Sequence, residues 1–125
     1  MRKIAFAAAL IALVLGLSAC GGAAVLNTVT PIYNKTPQQM EKAIIAGCTD
    51  KGWVCQKVSN GVFEGRLYVR SHMALVSILY GGEDFKIVYK DSQNLKYNNG
   101  KIHAQYNAWV RNLEKSIAVA TNTIQ

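Results

Sequence analysis

Apolar residues follow three different rules along this chain. The first is an unbroken run: Ile4 to Leu17 is apolar or glycine at all 14 positions, preceded by the charged pair Arg2-Lys3. After a weakly patterned stretch, Met40, Ala43, Ile44, Gly47 and Cys48 recur at steps of three and four, which predicts a helix with one apolar stripe. Its start is marked by Thr36-Pro37-Gln38-Gln39: Thr36 suits the N-cap, Pro37 the first helical position, and Gln39 the reciprocal bond of a capping box. It should end near Thr49, before the turn-like Asp50-Lys51-Gly52.

From Trp53 the period becomes two, the signature of half-buried strands. Trp53 to Val58 is a short strand candidate, and Asn60-Gly61 favours a tight hairpin by tolerating positive φ. Between Val62 and Arg70, Phe63, Leu67 and Val69 fall on one side, with Glu64, Arg66, Tyr68 and Arg70 on the other. Arg70-Ser71-His72 turns the chain, and Met73 to Tyr80 is nearly continuous in apolar residues, as in the middle of a sheet. After the turn Gly81-Gly82-Glu83-Asp84, Phe85, Ile87 and Tyr89 alternate with Lys86 and Lys90 in a fourth strand. Asp91 to Lys101 is polar, with Leu95 and Tyr97 as anchors and Asn98-Asn99-Gly100 as a turn. The helical period then returns: Tyr106, Trp109, Val110, Leu113 and Ile117 share one stripe.

Helix, four consecutive strands, helix predicts an α+β fold with two layers. A four-stranded antiparallel meander carries the N- and C-terminal helices on one face and leaves the other open. The expected boundaries are a leader over 1–19, a tether over 20–34 with partial order from Asn27 to Asn34, a single domain over 35–121 and a frayed tail over 122–125. No internal repeat is present.

The leading apolar run is shorter than the roughly 20 helical residues needed to cross a bilayer, and its length fits the h-region of a secretory signal peptide. Leu17-Ser18-Ala19-Cys20-Gly21 follows directly and resembles the lipobox of bacterial lipoproteins. The resemblance implies that Cys20 takes a diacylglyceryl group as a thioether, that cleavage follows Ala19, and that the freed amino group is acylated too. Two or three chains make membrane attachment effectively permanent, where one alone is marginal. In a Gram-negative envelope, Gly21, unlike the aspartate that retains lipoproteins in the inner membrane, implies the outer membrane, facing the periplasm.

Removing residues 1–19 leaves 106 residues, enough for one modest core. Removing Arg2 and Lys3 from the 14 basic residues leaves 12 against 7 acidic ones, a net +5. The cations form no consecutive run, so nucleic acid is not an expected partner. With Cys20 lipidated, Cys48 and Cys55 form an even pair in a compartment that permits disulfides. The alternative is two small buried thiols. Two thiols with His72 and His103 elsewhere have no usual metal-ligand spacing, and no cofactor motif occurs.

From about Trp53 onward the chain resembles a family of small bacterial lipoproteins of uncharacterised function. The resemblance rests on Arg70 to Val76, Tyr89 to Tyr97 and Ile102 to Leu113. It implies the same anchored α+β domain and brings no catalytic residues.

Two groups of residues stand as candidates. Arg66, Tyr68, Arg70, Lys86 and Lys90 could share the open sheet face and hold an anionic glycan, a head group or an acidic protein; the plainer reading is a solvated face. Asp91, Ser92 and His103 contain the residue types of a hydrolase triad. Ser92 lies beside Asp91 without a nucleophile-elbow pattern, so the expected role is structural. In that reading Asp91 and Ser92 organise their loop, and His103 and Asn107, one helical turn apart, fasten it to the last helix. The function expected is therefore non-enzymatic: a membrane-anchored domain that contacts another envelope component, or else one that binds an anionic small molecule or glycan.

Overall fold

The computed structural model describes residues 22–124; Cys20 and the leader over 1–19 lie outside the described residues. The elements in order are β1 (Ala23–Ala24), β2 (Thr28–Pro31), α1 (Pro37–Asp50), β3 (Val54–Ser59), β4 (Val62–Val69), β5 (His72–Tyr80), β6 (Asp84–Gln93), β7 (Lys101–Ile102) and α2 (Ala104–Thr123). The fold is α+β, but the main sheet has five antiparallel strands rather than four, in the order β2-β6-β5-β4-β3. A second sheet pairs β1 with β7.

Of the additional strands, β1 and β2 come from the segment expected to be a tether and β7 from the end of the polar 91–101 stretch. β2 escapes a hydropathy reading because it is a four-residue edge strand of Thr, Val, Thr and Pro, alternately half-buried and exposed. Its hold on β6 is reinforced by side chains: the Ile87 and Tyr89 amides donate to Thr28 Oγ1 at 3.2 Å and Asn27 Oδ1 at 3.0 Å.

α1 begins as its sequence demands. Thr36 Oγ1 accepts from the Gln39 amide at 3.1 Å, and Gln39 Oε1 accepts from the Thr36 amide at 2.8 Å, with Pro37 in the first turn. β5 is the central strand, as its apolar run requires. β6 continues to Gln93, through Asp91 and Ser92, which had been expected to open a loop. α2 continues through Thr123, past the expected fraying point.

Met40, Ile44 and Cys48 of α1 and Tyr106, Val110, Leu113 and Ile117 of α2 join Phe63, Leu67, Val76, Ile78, Phe85 and Ile87 in one core, so both helices cover the same sheet face. They meet closely at Gly47, where a Cβ would lie 2.7 Å from the Ile117 amide nitrogen. Among the described residues no helix is long and apolar enough to cross a membrane.

The strand directions give the sheet two distinct ends. At one lie the Arg70-Ser71 turn, Gln93, Asn27 and the start of α2; at the other lie the Asn60-Gly61 and Gly81–Glu83 turns, Pro31 and the start of α1.

Candidate functional site

The sheet face that neither helix covers, among the described residues, can be read from the strand register. Arg66 pairs with Leu75, Tyr68 with Met73, Glu64 with Ser77, and Leu79 with Lys86, so these residues share a face. Lys90 joins them and bonds Glu64. Four of the five predicted residues, Arg66, Tyr68, Lys86 and Lys90, thus come together. Arg70 does not: it forms the β4–β5 turn with φ 55°.

The strand irregularity brings in a residue that period-two reasoning missed. Leu75 pairs with Asp91 but Val76 pairs with Tyr89, leaving Lys90 as the extra residue of a β-bulge. Asp91 therefore lies in the same row as Leu75 and Arg66. Glu64 engages the Lys90 ammonium and lies 3.8 Å from an Arg66 guanidinium nitrogen. Its carboxyl is held below the ordinary carboxylate range, first by the Lys90 hydrogen bond and then by the charges of Lys90 and Arg66. The face thus interleaves three cations with two carboxylates. Around them Tyr68 (66% exposed), Val29 (64%) and Val54 (61%) remain in solvent.

The second predicted group is dispersed. Asp91 accepts from the Ser92 amide at 2.8 Å, and Ser92 Oγ meets Tyr89 Oη at 2.8 Å on the covered side. His103 caps α2, its Nδ1 accepting from the Gln105 amide at 3.1 Å. Asn107 was expected to fasten the 91–101 segment. Instead its Nδ2 donates to the Ala24 carbonyl at 2.8 Å and its Oδ1 accepts from the Leu26 amide at 3.0 Å, so it holds the N-terminal segment. The 91–101 segment is secured by buried Leu95, whose carbonyl accepts from the His103 amide at 2.9 Å.

Cys48 and Cys55 are joined, with Cα atoms 6.2 Å apart, tying the end of α1 to β3. Gly65 underlies this bridge, since a Cβ there would come within 3.1 Å of Cys55 Sγ. Among the described residues no group of three or more His, Cys, Asp or Glu could hold a metal ion.

At the far end of the sheet a cleft of about 440 Å³ is lined by Gln38, Glu41, Lys57, Asn60, Tyr80 and Gly81, among others. The Tyr80 hydroxyl donates to Glu41 Oε2 at 2.7 Å, and Lys57 Nζ lies 3.1 Å from the same oxygen. These donors hold the Glu41 carboxyl below its ordinary range, Tyr80 contributing most and Lys57 next. Burial first, and then Glu41, pushes the Tyr80 phenol up to about 12. An ionised carboxylate already holding two donors is a poor general base, so the cluster's chemistry is that of a fastening between α1 and the sheet. Its one sequence signal is Tyr80 itself: a tyrosine that ends an apolar strand needs a partner for its hydroxyl.

No protein-family model matches the chain, and no curated protein or solved structure is significantly similar to it.

Proposed function

We propose that this chain is a lipoprotein of the bacterial envelope, anchored through Cys20, whose open sheet face contacts another envelope protein without catalysing a reaction. The anchor rests on Leu17-Ser18-Ala19-Cys20 after the Ile4–Leu17 run, and Gly21 favours the outer membrane on its periplasmic side.

The observation that carries the contact reading is the composition of the open face. A site for an anionic glycan keeps its cations free, whereas here Glu64 engages Lys90 and lies close to Arg66, and Asp91 stands in the Arg66 row. Mixed charge around exposed Tyr68, Val29 and Val54 is the chemistry of a protein interface, where aromatic and apolar groups bury and charges set the register. The occupied Glu41 carboxylate and the separate partners of Ser92 and His103 support a non-enzymatic role.

The test is a photo-crosslinking residue at Tyr68 of the full chain in intact cells, with the same probe at exposed Arg111 of α2 as the control. A discrete protein adduct from position 68 alone is expected. Adducts with glycan only would replace this reading with anion binding, and no adduct at position 68 would overturn both. Cys20→Ser should abolish lipid labelling; unchanged labelling and membrane retention would remove the anchor.

A further inference from the structure

Gly22, two residues after Cys20, is already engaged in the fold. Gly22 lies against the backbone of β7, where a Cβ would be 2.9 Å from the Ile102 carbonyl oxygen. Ala23 and Ala24 pair with Ile102 and Lys101, the Val25 amide donates to the Gly100 carbonyl at 2.9 Å, and Asn107 holds Ala24 and Leu26. Two peptide units span at most about 7.6 Å between Cα atoms. The head-group layer of one leaflet is itself about 5 to 8 Å thick. A lipid on Cys20 therefore leaves no room for a spacer, and the Gly22 end must lie at the membrane surface.

That end has the charge to suit it. Gly22, Lys96, Asn98, Asn99, Lys101 and His103 line one concavity of about 530 Å³, without a carboxylate among its lining residues. The chain segments that build this end, 22–27 and 92–107, contain Lys96 and Lys101 and no Asp or Glu, and Asp91 stands just behind them on the open sheet face. Lys96 adopts φ 56°, a left-handed conformation in which Asn or Gly is the usual residue. Tyr97 beside it is 46% exposed and stacks on Tyr89 with ring centroids 4.3 Å apart. A half-exposed, fixed tyrosine is the side chain enriched where lipid meets water. Glu41, Glu83 and Asp84 lie at the other end.

We infer that the Gly22 end, through Lys96 and Lys101, lies on anionic phospholipid head groups of the membrane that anchors the chain, with the strands standing away from the bilayer. This rests on lipidation of Cys20. Eight residue steps along β5 rise about 27 Å, so the Tyr80 cleft is displayed that far above the His72 level and the open sheet face looks sideways.

The test uses the full lipidated chain, bound to the outside of preformed vesicles and compared with detergent micelles. Acylation rates of individual lysines are read by mass spectrometry. On phosphatidylglycerol-containing vesicles Lys96 and Lys101 should react about fivefold more slowly than in micelles, the factor corresponding to about 1 kcal/mol per surface lysine, and Lys42 on α1 should not change. The protection should disappear on phosphatidylcholine vesicles. Lipidated Cys20 with unprotected Lys96 and Lys101, or with protection equal on both vesicle types, overturns the head-group contact alone. Unmodified Cys20, visible in the same spectra, overturns the anchor and the contact together.

Discussion

Asn107, on the first turn of α2, satisfies the backbone of Leu26 through a 3.0 Å hydrogen bond across a sequence separation of 81 residues, and its amide returns a second bond to Ala24. One 7%-exposed side chain thus binds the start of the domain to its end. Asn107→Ala removes both bonds and leaves the Leu26 amide and the Ala24 carbonyl without those partners. A loss of about 1 to 3 kcal/mol is expected, with faster amide exchange confined to residues 23–31. Unchanged exchange there would show that strand pairing alone holds the segment.

The bridge between Cys48 and Cys55 closes a loop with a sequence separation of 7. In the chain-entropy model a loop of this length stabilises by about 2 to 3 kcal/mol. The Cys48→Ala/Cys55→Ala chain should lose about that much in denaturant unfolding, and reductant should lower the native chain to the same level while leaving the variant unaffected. Equal stability with and without reductant would contradict a contribution from the bridge.

The Tyr80–Glu41 pair predicts stability changes at both extremes of pH. The Glu41 carboxyl is depressed in the folded state, so its contribution is present above the ordinary value of 4.5 and is lost as pH falls through the folded value. The Tyr80 phenol is raised from 10.0 to about 12, so its contribution is complete below 10.0 and is lost as pH rises through about 12. Thermal midpoints measured across pH should decline less steeply on the alkaline side for Tyr80→Phe and on the acid side for Glu41→Gln. Parallel profiles for variant and native chains would remove the pair from the pH response.

Where periodicity was strong, the sequence was enough. Thr36 and Gln39 announced the start of α1, the Met73–Tyr80 run marked the centre of the sheet, and the Tyr106–Ile117 stripe marked the last helix. The sequence reading missed β2 because edge strands bury little, and its main partners, Ile87 and Tyr89, lie some sixty residues away. It missed Asp91 on the open face because a bulge breaks the alternation on which face assignment depends. Arg70 was assigned to that face by the same alternation, but β4 ends at Val69 and Arg70 belongs wholly to the turn. Glu41, Lys57 and Tyr80 meet only through topology, and no local spacing encodes their cluster.

The Asn107 clamp also sets an order of events for a chain that leaves its site of synthesis N-terminus first. β2 has no sheet to join until β6 has emerged, and Leu26 has no partner in α2 until residue 107 follows. The stretch from Gly22 to Pro31 therefore has no partners to join while the chain is incomplete, and it is drawn into the fold when the last helix arrives. Completion of the domain acts as a timer: the N-terminal strands close onto it only after residue 107 has become available.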